Sequence, residues 1–229
     1  MKLPLELFFL YLLTEPLLAG LVTKKHTGIA KNSKGTVVYF EKHEVQFLGK
    51  KVKKSQTLYY DRSGTRKIAS LVSDYSSSIK MPTYEFIDLR SGYKEGLRRK
   101  NGKYIIYHLD ENKQEISKPL STSKQVFSSQ GWHYFLVNNL SMLEEKDVVL
   151  RLIVPSQLDY YTFAIRKAEV AGNLLSTHLE LSNWVINLFA PKMKLVYDRT
   201  QKKLIKFVGL SNIPTDTGEP QEVTIDYQY

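Results

Sequence analysis

The residues of this sequence that could do acid–base or metal chemistry are its five histidines, which lie far apart along the chain. They are His26, His43, His108, His133 and His178. No two of them have the spacing of a zinc site. His43 shares a predicted strand face with Glu41, and His178 shares one with Glu180. One carboxylate and one histidine on a strand make a weak site, so we expect both pairs to lie on solvated strand faces.

Other catalytic signatures are missing from the sequence. No serine stands in a Gly-x-Ser-x-Gly elbow, and no glycine loop is suited to binding phosphate. The chain has no cysteine, which removes thiol nucleophiles, thiolate metal ligands and disulfides together. The sequence therefore predicts a protein that is not an enzyme and that uses no metal or cofactor. A hydrolase without a recognisable motif stays open as an alternative, because distant residues can converge in a fold.

Basic residues show a clearer pattern than the candidate catalytic residues. Lysine and arginine number 33 against 23 acidic residues, a formal net charge of +10. They gather at three predicted turns, residues 50–54, 98–103 and 199–206. Lysines at strand ends commonly increase solubility and block edge pairing, and this is the simpler interpretation. The alternative is a basic rim that meets anionic headgroups, which is worth about 1 kcal/mol for each basic residue near such a surface.

The first twenty residues have the order of a secretory signal. Lys2 comes first, an apolar stretch covers residues 7–13, and small residues stand at positions 19 and 20. Glu6 and Glu15 argue against a membrane-spanning helix, because ionised groups are costly at membrane depth. An amphipathic N-terminal helix of a cytosolic protein is the alternative. We expect residues 1–20 to be removed as a signal peptide and residues 21–229 to form a single domain.

Export decides which anionic partner a basic protein can meet. We expect the periplasm as the location, with the outer membrane second. Losing Lys2 together with Glu6 and Glu15 would raise the net charge from +10 to +11. A basic exported protein favours a phospholipid or lipid A-like ligand, or peripheral membrane contact, and makes nucleic acid an unexpected partner. The oligomeric state stays open.

The pattern from residue 36 onward predicts an all-β fold. Short extended segments alternate with turn residues, and Asn101-Gly102 is the strongest hairpin signal. We count about ten to twelve strands joined mostly by tight turns. This spacing is typical of an antiparallel meander that forms a barrel or a strongly curved sheet.

One stretch departs from the strand pattern and predicts an amphipathic helix over residues 123–143. Its apolar residues recur at intervals of three and four, which places them on one face toward a core. They include Phe127, Trp132, Phe135, Leu136, Leu140 and Leu143. Gly131 weakens the middle of this helix and is expected to break it. The helix should pack on the sheet.

The last strand could belong to a lipid-facing barrel or to a water-soluble sheet. Residues 222–229 alternate apolar and polar positions and end in an aromatic residue, as outer-membrane strands do. The strand near residue 40 lacks this alternation, because Tyr39 shares its face with Glu41 and His43. We therefore expect a soluble sheet with Tyr227 and Tyr229 against the core, and a small outer-membrane β-barrel as the alternative.

The C-terminal segments MKLVYDRTQKKLI and KFVGLSNIPTDTGEPQEVTIDYQY, with the early strand GTVVYFEKH, carry a resemblance. They resemble an uncharacterised family of exported proteobacterial β-rich proteins that share a Gly-Leu-Ser-Asn-Ile motif, here residues 209–213. The resemblance covers most of residues 28–229 and implies no defined activity. In style the chain is also similar to periplasmic lipid-carrier half-barrels. Within the motif, Ser211 and Asn212 are expected to bond their own backbone and fix the turn.

These expectations combine into a candidate ligand site in the concave side of the sheet. An anionic headgroup would meet the basic turn of Arg98, Arg99 and Lys100. The apolar part of the ligand would lie between the sheet and the helical residues Trp132 and Phe135. The sequence thus predicts a non-enzymatic envelope protein that binds a lipid or another anionic amphiphile.

Overall fold

A computed structural model describes residues 20–182 and 192–229 of the chain. The expected signal peptide lies outside these residues except for Gly20. Within the described ranges the chain forms fifteen β-strands, two α-helices and one short 3-10 helix. The all-β, mainly antiparallel architecture predicted from the sequence is confirmed. The strand count exceeds the ten to twelve expected, since short strands such as β8 and β11, defined below, carry little sequence pattern.

The elements follow one another in a simple order along the chain. The first strands are β1 (Leu21–Lys31), β2 (Val37–Leu48), β3 (Lys51–Asp61), β4 (Lys67–Asp74), β5 (Thr83–Asp88), β6 (Lys94–Lys100), β7 (Lys103–Leu109) and β8 (Glu115–Pro119). The helices α1 (Gly131–Asn138) and α2 (Leu140–Glu145) follow. The remaining strands are β9 (Val148–Val154), β10 (Asp159–Ile165), β11 (Glu169–Ala171), β12 (Leu174–Leu181), β13 (Met193–Asp198), β14 (Lys203–Leu210) and β15 (Glu222–Gln228).

The strands join into one sheet whose order is nearly that of the sequence. The order runs from β8 back to β1, continues through β15, β14, β13, β12 and β10, and ends at β9, while β11 pairs only with β12. The C-terminal strand β15 therefore lies inside the sheet between β1 and β14. In the described residues β8 and β9 are the two sheet edges, so hydrogen bonds do not close the sheet into a barrel.

Strong curvature nevertheless brings the two edges of the sheet close together. Lys118 on β8 forms an ion pair with Asp159 on β10 at 3.7 Å. Residues 126–128 run beside β9, where the Phe127 amide donates to the Arg151 carbonyl at 2.8 Å. Ser128 in turn bonds the segment before β5 through the Pro82 carbonyl at 2.7 Å. The concave side of the sheet is thus enclosed without complete strand pairing.

The helical region is shorter than the predicted helix over residues 123–143 and is divided in two. Helix α1 begins at Gly131, after Ser129 adopts a positive φ of 44°, and Asn139 separates it from α2. Glycine is required at position 131 because a Cβ there would lie 2.3 Å from the Lys80 carbonyl oxygen. Gly131 therefore starts the helix at a close contact with the loop before β5, and the break lies eight residues later.

The concave side holds two main apolar clusters in the described residues. One is built on β2 to β7 and β15, and its members include Tyr39, Tyr59, Phe86, Leu97 and Ile106. The other joins the helices to β9, β10, β12 and β13, and its members include Phe127, Leu136, Leu143, Leu150 and Tyr197. Phe207 and Tyr227 pack against both clusters. Tyr227 therefore lies against the core as expected, whereas Tyr229 is 52% exposed.

The Gly-Leu-Ser-Asn-Ile motif forms a plug at one end of the concave side. The Ser211 hydroxyl bonds the buried Tyr39 hydroxyl at 2.9 Å and accepts the Ile213 amide, as expected for a backbone turn. The Asn212 side chain instead donates to the Tyr59 hydroxyl at 3.0 Å. Ile213 is 1% exposed in the first cluster. The loop therefore provides hydrogen-bond partners for two buried tyrosine hydroxyls and also fills apolar space in the core.

We expect Ile213→Ala to lower the free energy of unfolding by about 2–4 kcal/mol, because it leaves a cavity in the core. The matched variant Leu210→Ala removes a side chain that is 43% exposed and should cost well under about 1 kcal/mol. Urea denaturation of both variants measures the difference. Equal losses would contradict the plug, since they would mean that Ile213 is not in the core.

Candidate functional site

The antiparallel topology brings the three basic turns predicted from the sequence to one end of the sheet. The β2–β3, β6–β7 and β13–β14 turns all open at the end where β1 starts and β15 finishes. We define the basic rim as residues 21–25, 48–54, 98–103 and 199–203. The loop that carries the plug, between β14 and β15, lies at the opposite end.

One part of the basic rim also exposes aliphatic side chains. Leu21 and Val22 at the start of β1 are 59% and 52% exposed, and Leu48 at the end of β2 is 45% exposed. Leu21 and Leu48 are cross-strand partners, so these two side chains lie side by side at the tip of the sheet, while Val22 pairs with Phe47 and points to the other face. We call this tip, residues 21–25 with 48–54, the lip. Neighbouring exposed aliphatic residues of this kind mark interaction surfaces more often than scattered ones do.

Lysines surround the apolar side chains of the lip. Lys50, Lys51 and Lys54 are exposed at the β2–β3 turn. Lys24 lies over the Phe47 ring at 5.4 Å. Lys25 pairs with Glu44 at 2.6 Å, with both groups well exposed. The lip thus combines an apolar tip with a positive surround, which suits an interface between hydrocarbon and anionic groups.

Two of the three basic residues of the predicted ligand site, which lie on β6, contact side chains of β7 and β8. Arg98 donates to both carboxylate oxygens of Glu115, one at 2.7 Å, and lies 4.6 Å from the centre of the Tyr107 ring. Arg99 lies over the Tyr104 ring at 5.4 Å. Lys100 is exposed at the end of β6.

The aromatic residues of the predicted ligand site belong to α1. Trp132 and Phe135 are partly buried and pack against the second cluster, and Phe135 lies 5.2 Å from the Phe127 ring. In the described part of the chain no hydrogen bond, ion pair or ring contact joins these two residues to Arg98, Arg99 or Lys100. The binding role of the five residues stays a prediction.

A polar layer with a buried centre and half-buried or exposed outer members crosses the concave side between the two apolar clusters, and the sequence did not predict it. It is formed by His26 on β1, Glu41 and His43 on β2, Thr57 on β3, His133 on α1, Tyr197 on β13, and Tyr227 and Tyr229 at the chain end. Register explains the assembly, since His26 faces His43 and His43 faces Thr57 on neighbouring strands. We refer to these residues as the histidine layer.

His43 is the centre of the histidine layer. Its Nε2 lies 2.8 Å from Glu41 Oε2, and its Nδ1 lies 2.9 Å from the Thr57 hydroxyl. Glu41, His43 and Thr57 are each less than 9% exposed. The expectation of a solvated strand face is therefore wrong here, because β2 lies inside the sheet and α1 covers its concave face. The sequence did contain one indication of this burial. Glu41 and His43 alternate in step with the apolar residues of β2, so they lie on the same face of the strand as those residues.

The second histidine–carboxylate pair is also less solvated than expected. Glu180 is 8% exposed and forms ion pairs with Arg166 at 3.1 Å and with Lys192 at 3.3 Å. His178 is only half-buried on the same strand face. Two basic side chains, which the spacing along one strand did not reveal, cover the carboxylate.

Gly28 creates the space that the histidine layer occupies. It is the cross-strand partner of Glu41 on one side and of Tyr227 on the other. A Cβ at this position would lie 3.0 Å from Glu41 Oε2, 3.0 Å from Ile225 Cγ2 and 3.1 Å from the Tyr227 ring. The missing side chain thus lets a carboxylate and an aromatic ring meet over β1.

Stacked rings hold the other two histidines of the layer. The His26 ring is parallel to the His43 ring at 4.3 Å and also stacks on Tyr229 at 4.6 Å. His133 stacks on Tyr197 at 6.0 Å. Burial, followed by the charge of a protonated His43, lowers the pKa of His26 from 6.5 to about 3 and that of His133 to about 4. Two unit charges about 4 Å apart repel by about 4 kcal/mol at the screening typical near a protein surface.

The Thr57–His43–Glu41 chain has the order of a nucleophile, a base and an orienting carboxylate. Thr57 is 1% exposed, so a substrate carbonyl has no path to its hydroxyl in the described fold. Neither described cleft is lined by Thr57 or His43: one of about 440 Å³ lies between the helices and the β13–β14 turn, and one of about 270 Å³ borders β1 and β2. The hydrogen bonds of His43 therefore satisfy a buried polar group in the sheet.

Residues 20–182 and 192–229 contain no group of three histidine, aspartate or glutamate side chains placed to hold a metal ion. None of their helices has the length and apolar character needed to cross a bilayer.

Comparison with solved structures gives a structural similarity to a bacterial protein. A crystal structure of a beta-barrel-like protein with a domain of unknown function, from Brucella abortus, matches 89% of this chain and 95% of that chain, with a TM-score of 0.42 and 8% identity. The chain matches no protein-family model and no curated protein sequence. The β-rich architecture implied by the C-terminal resemblance is present in the structure, whereas the family motif and export stay predictions.

We expect Gly28→Ala to destabilise the protein by about 1–3 kcal/mol, since the added methyl group overpacks the contact between Glu41 and Tyr227. Thr27→Ala is the matched control, because it changes an exposed residue next to Gly28 on the same strand. Chemical denaturation followed by circular dichroism measures both. A Gly28→Ala variant as stable as the wild type would contradict the tight packing of the layer.

Proposed function

We propose that the protein is a non-enzymatic, exported protein of the cell envelope that binds the surface of anionic phospholipid membranes through the lip of its basic rim. The observation that carries the proposal is the lip, where Leu21, Val22 and Leu48 are exposed beside lysines at the end of the sheet that also bears the other basic turns. Apolar tips insert into the headgroup region while the surrounding lysines meet anionic phosphates.

The magnitudes favour both parts of the lip acting together. Each lysine near an anionic surface contributes about 1 kcal/mol, so three of them change affinity by about 100-fold. Burying an exposed leucine side chain contributes about 1.5–3 kcal/mol more. Either part alone gives weak, reversible contact, whereas the combination supports stable peripheral binding.

Binding of an anionic lipid in the concave side of the sheet is less favoured. A headgroup at Arg98, Arg99 and Lys100 with an acyl chain at Trp132 and Phe135 would have to displace side chains that already fill the concave face. Glu115, which forms a salt bridge with Arg98, would compete with the anionic headgroup for that arginine. We therefore assign the lipid contact to the lip and keep the concave site as an outcome of the test.

The test measures co-flotation of the protein, in its native N-terminal form, with two kinds of vesicle. We expect binding to mixed phosphatidylglycerol and phosphatidylcholine vesicles, weaker binding to phosphatidylcholine alone, and a loss on adding salt. Replacing Lys50, Lys51 and Lys54 by serine should weaken binding by about 100-fold.

Two variants that also remove three positive charges give the controls. Arg62, Arg66 and Lys67 lie at the opposite end of the sheet, at the β3–β4 turn. Replacing these three by serine should leave binding within about twofold to threefold, since charges beyond a Debye length of about 8–10 Å are screened. A loss restricted to the Arg98, Arg99 and Lys100 triple variant would contradict the lip and move the contact to the β6–β7 turn, where the headgroup of a concave-side ligand was expected. Equal losses in all three would mean that net charge alone drives binding.

Export is a separate expectation with its own measurement. Because residues 1–20 have the order of a signal peptide, we expect the protein from the cell envelope to begin near residue 21. Intact-mass spectrometry of the native protein decides this. A chain that keeps Met1 and fractionates with the cytosol would contradict export and leave the lip without an envelope membrane.

A further inference from the structure

We propose that His26 and His133, packed around His43, form an acid-sensitive latch, which holds α1 in the concave side at neutral pH and releases it when His26 and His133 take up protons. This inference concerns a movement of the protein and is independent of the proposed lipid contact.

The latch is built from residues on three separate elements. His26 comes from β1, His43 from β2 and His133 from α1. The parallel rings of His26 and His43, 4.3 Å apart, leave little room for two positive charges. His133 is in electrostatic range of His43 and stacks on Tyr197 of β13. The helix therefore carries one member of a cluster whose other members belong to the sheet.

The groups that face the cluster offer little compensation for added protons. They are Glu41 from β2, Thr57 from β3, Lys203 from β14, and Tyr197, Tyr227 and Tyr229 from β13 and the chain end. The nearby Lys203 opposes protonation of His26. Glu41 is already bonded to His43. Within the described residues no hydrogen bond or ion pair joins His26 or His133 to a carboxylate.

The direction of the pH effect follows from this environment. Burial and neighbouring positive charge lower the pKa of His26 to about 3 and of His133 to about 4. In an open state both side chains regain the usual value of about 6.5. The open state then binds more protons than the closed state between these values. The closed state is favoured above about pH 6.5 and loses that advantage as the pH falls, by up to about 100-fold per pH unit for two protons.

Helix α1 is the element that can move. Strand β2 pairs with β1 on one side and β3 on the other, so its displacement would break two ladders. Helix α1 is held through packing of side chains such as Leu136, and no side-chain cap fixes its first turn. The Tyr197 hydroxyl beneath His133 is buried without a hydrogen-bond partner in the described structure. Opening would hydrate that hydroxyl together with the charged histidines.

Trp132 reports directly on this movement because it lies on α1 beside His133 and is partly buried. In a Trp184→Phe background it is the single tryptophan of the chain. We expect acrylamide quenching of Trp132 to rise as the pH falls from about 7.5 to about 4.5, and to reverse on neutralisation. The strand signal in circular dichroism should persist over this range.

Variants of histidines inside and outside the layer separate the latch from general acid effects. His133→Phe keeps a ring over Tyr197 but cannot take up a proton, so the quenching transition should shift down by at least about one pH unit. His26→Phe gives the same test if the first variant does not fold. His178→Phe alters a histidine of β12 outside the layer and should behave as the wild type. Unchanged quenching down to about pH 4.5, loss of the strands together with the transition, or equal profiles for the wild type and His133→Phe would each overturn the latch.

Discussion

The structure depends on the satisfaction of one buried imidazole in the middle of a long curved sheet. His43 contacts Glu41 through one ring nitrogen and Thr57 through the other, and all three side chains are buried. A buried carboxylate or imidazole without a partner would cost several kcal/mol. The register of β1, β2 and β3 is therefore constrained, since a shift of one residue would move each of these groups to the opposite face.

Because of this constraint, the side chains on the concave side of the sheet stabilise the fold, and the proposed membrane contact is made by exposed side chains. The Gly-Leu-Ser-Asn-Ile loop fills one end of the concave side, and α1 covers the histidine layer toward the other end. The absence of a side chain at Gly28 leaves room for the histidine layer. At the lip, in contrast, exposed aliphatic side chains lie beside lysines, and the other two basic turns share that end because an up-and-down meander sends alternate turns to the same end. Stability thus depends on the concave side of the sheet, and the proposed function depends on one end of it.

The sequence predicted the class of fold well, and it predicted the buried layer poorly. Hairpin signals such as Asn101-Gly102 and the alternation in β15 are local, so they identified the meander and the inward side of Tyr227. The helix was placed within a few residues at its end, but its start at Gly131 depends on contact with Lys80, which no local pattern contains.

The histidine layer was missed for a related physical reason. Its members are separated by up to about two hundred positions in the chain and meet only through strand register and the docking of α1. The pattern of β2 put Glu41 and His43 on the face of Tyr39, but the sequence alone did not tell that this face is covered. The three basic turns, by contrast, were identified correctly as a set, and alternation of strand direction then explains why they share one end.

The central claim is that the concave side is filled by the chain itself and that lipid contact belongs to the lip. Hydrogen–deuterium exchange of the protein with and without phosphatidylglycerol vesicles at neutral pH tests this most directly. The account predicts added protection in residues 21–25 and 48–54, with exchange in α1 and in residues 62–67 unchanged. Added protection of residues 131–138 and of the strands beneath them, with none at the lip, would show that lipid enters the concave side and would contradict the account.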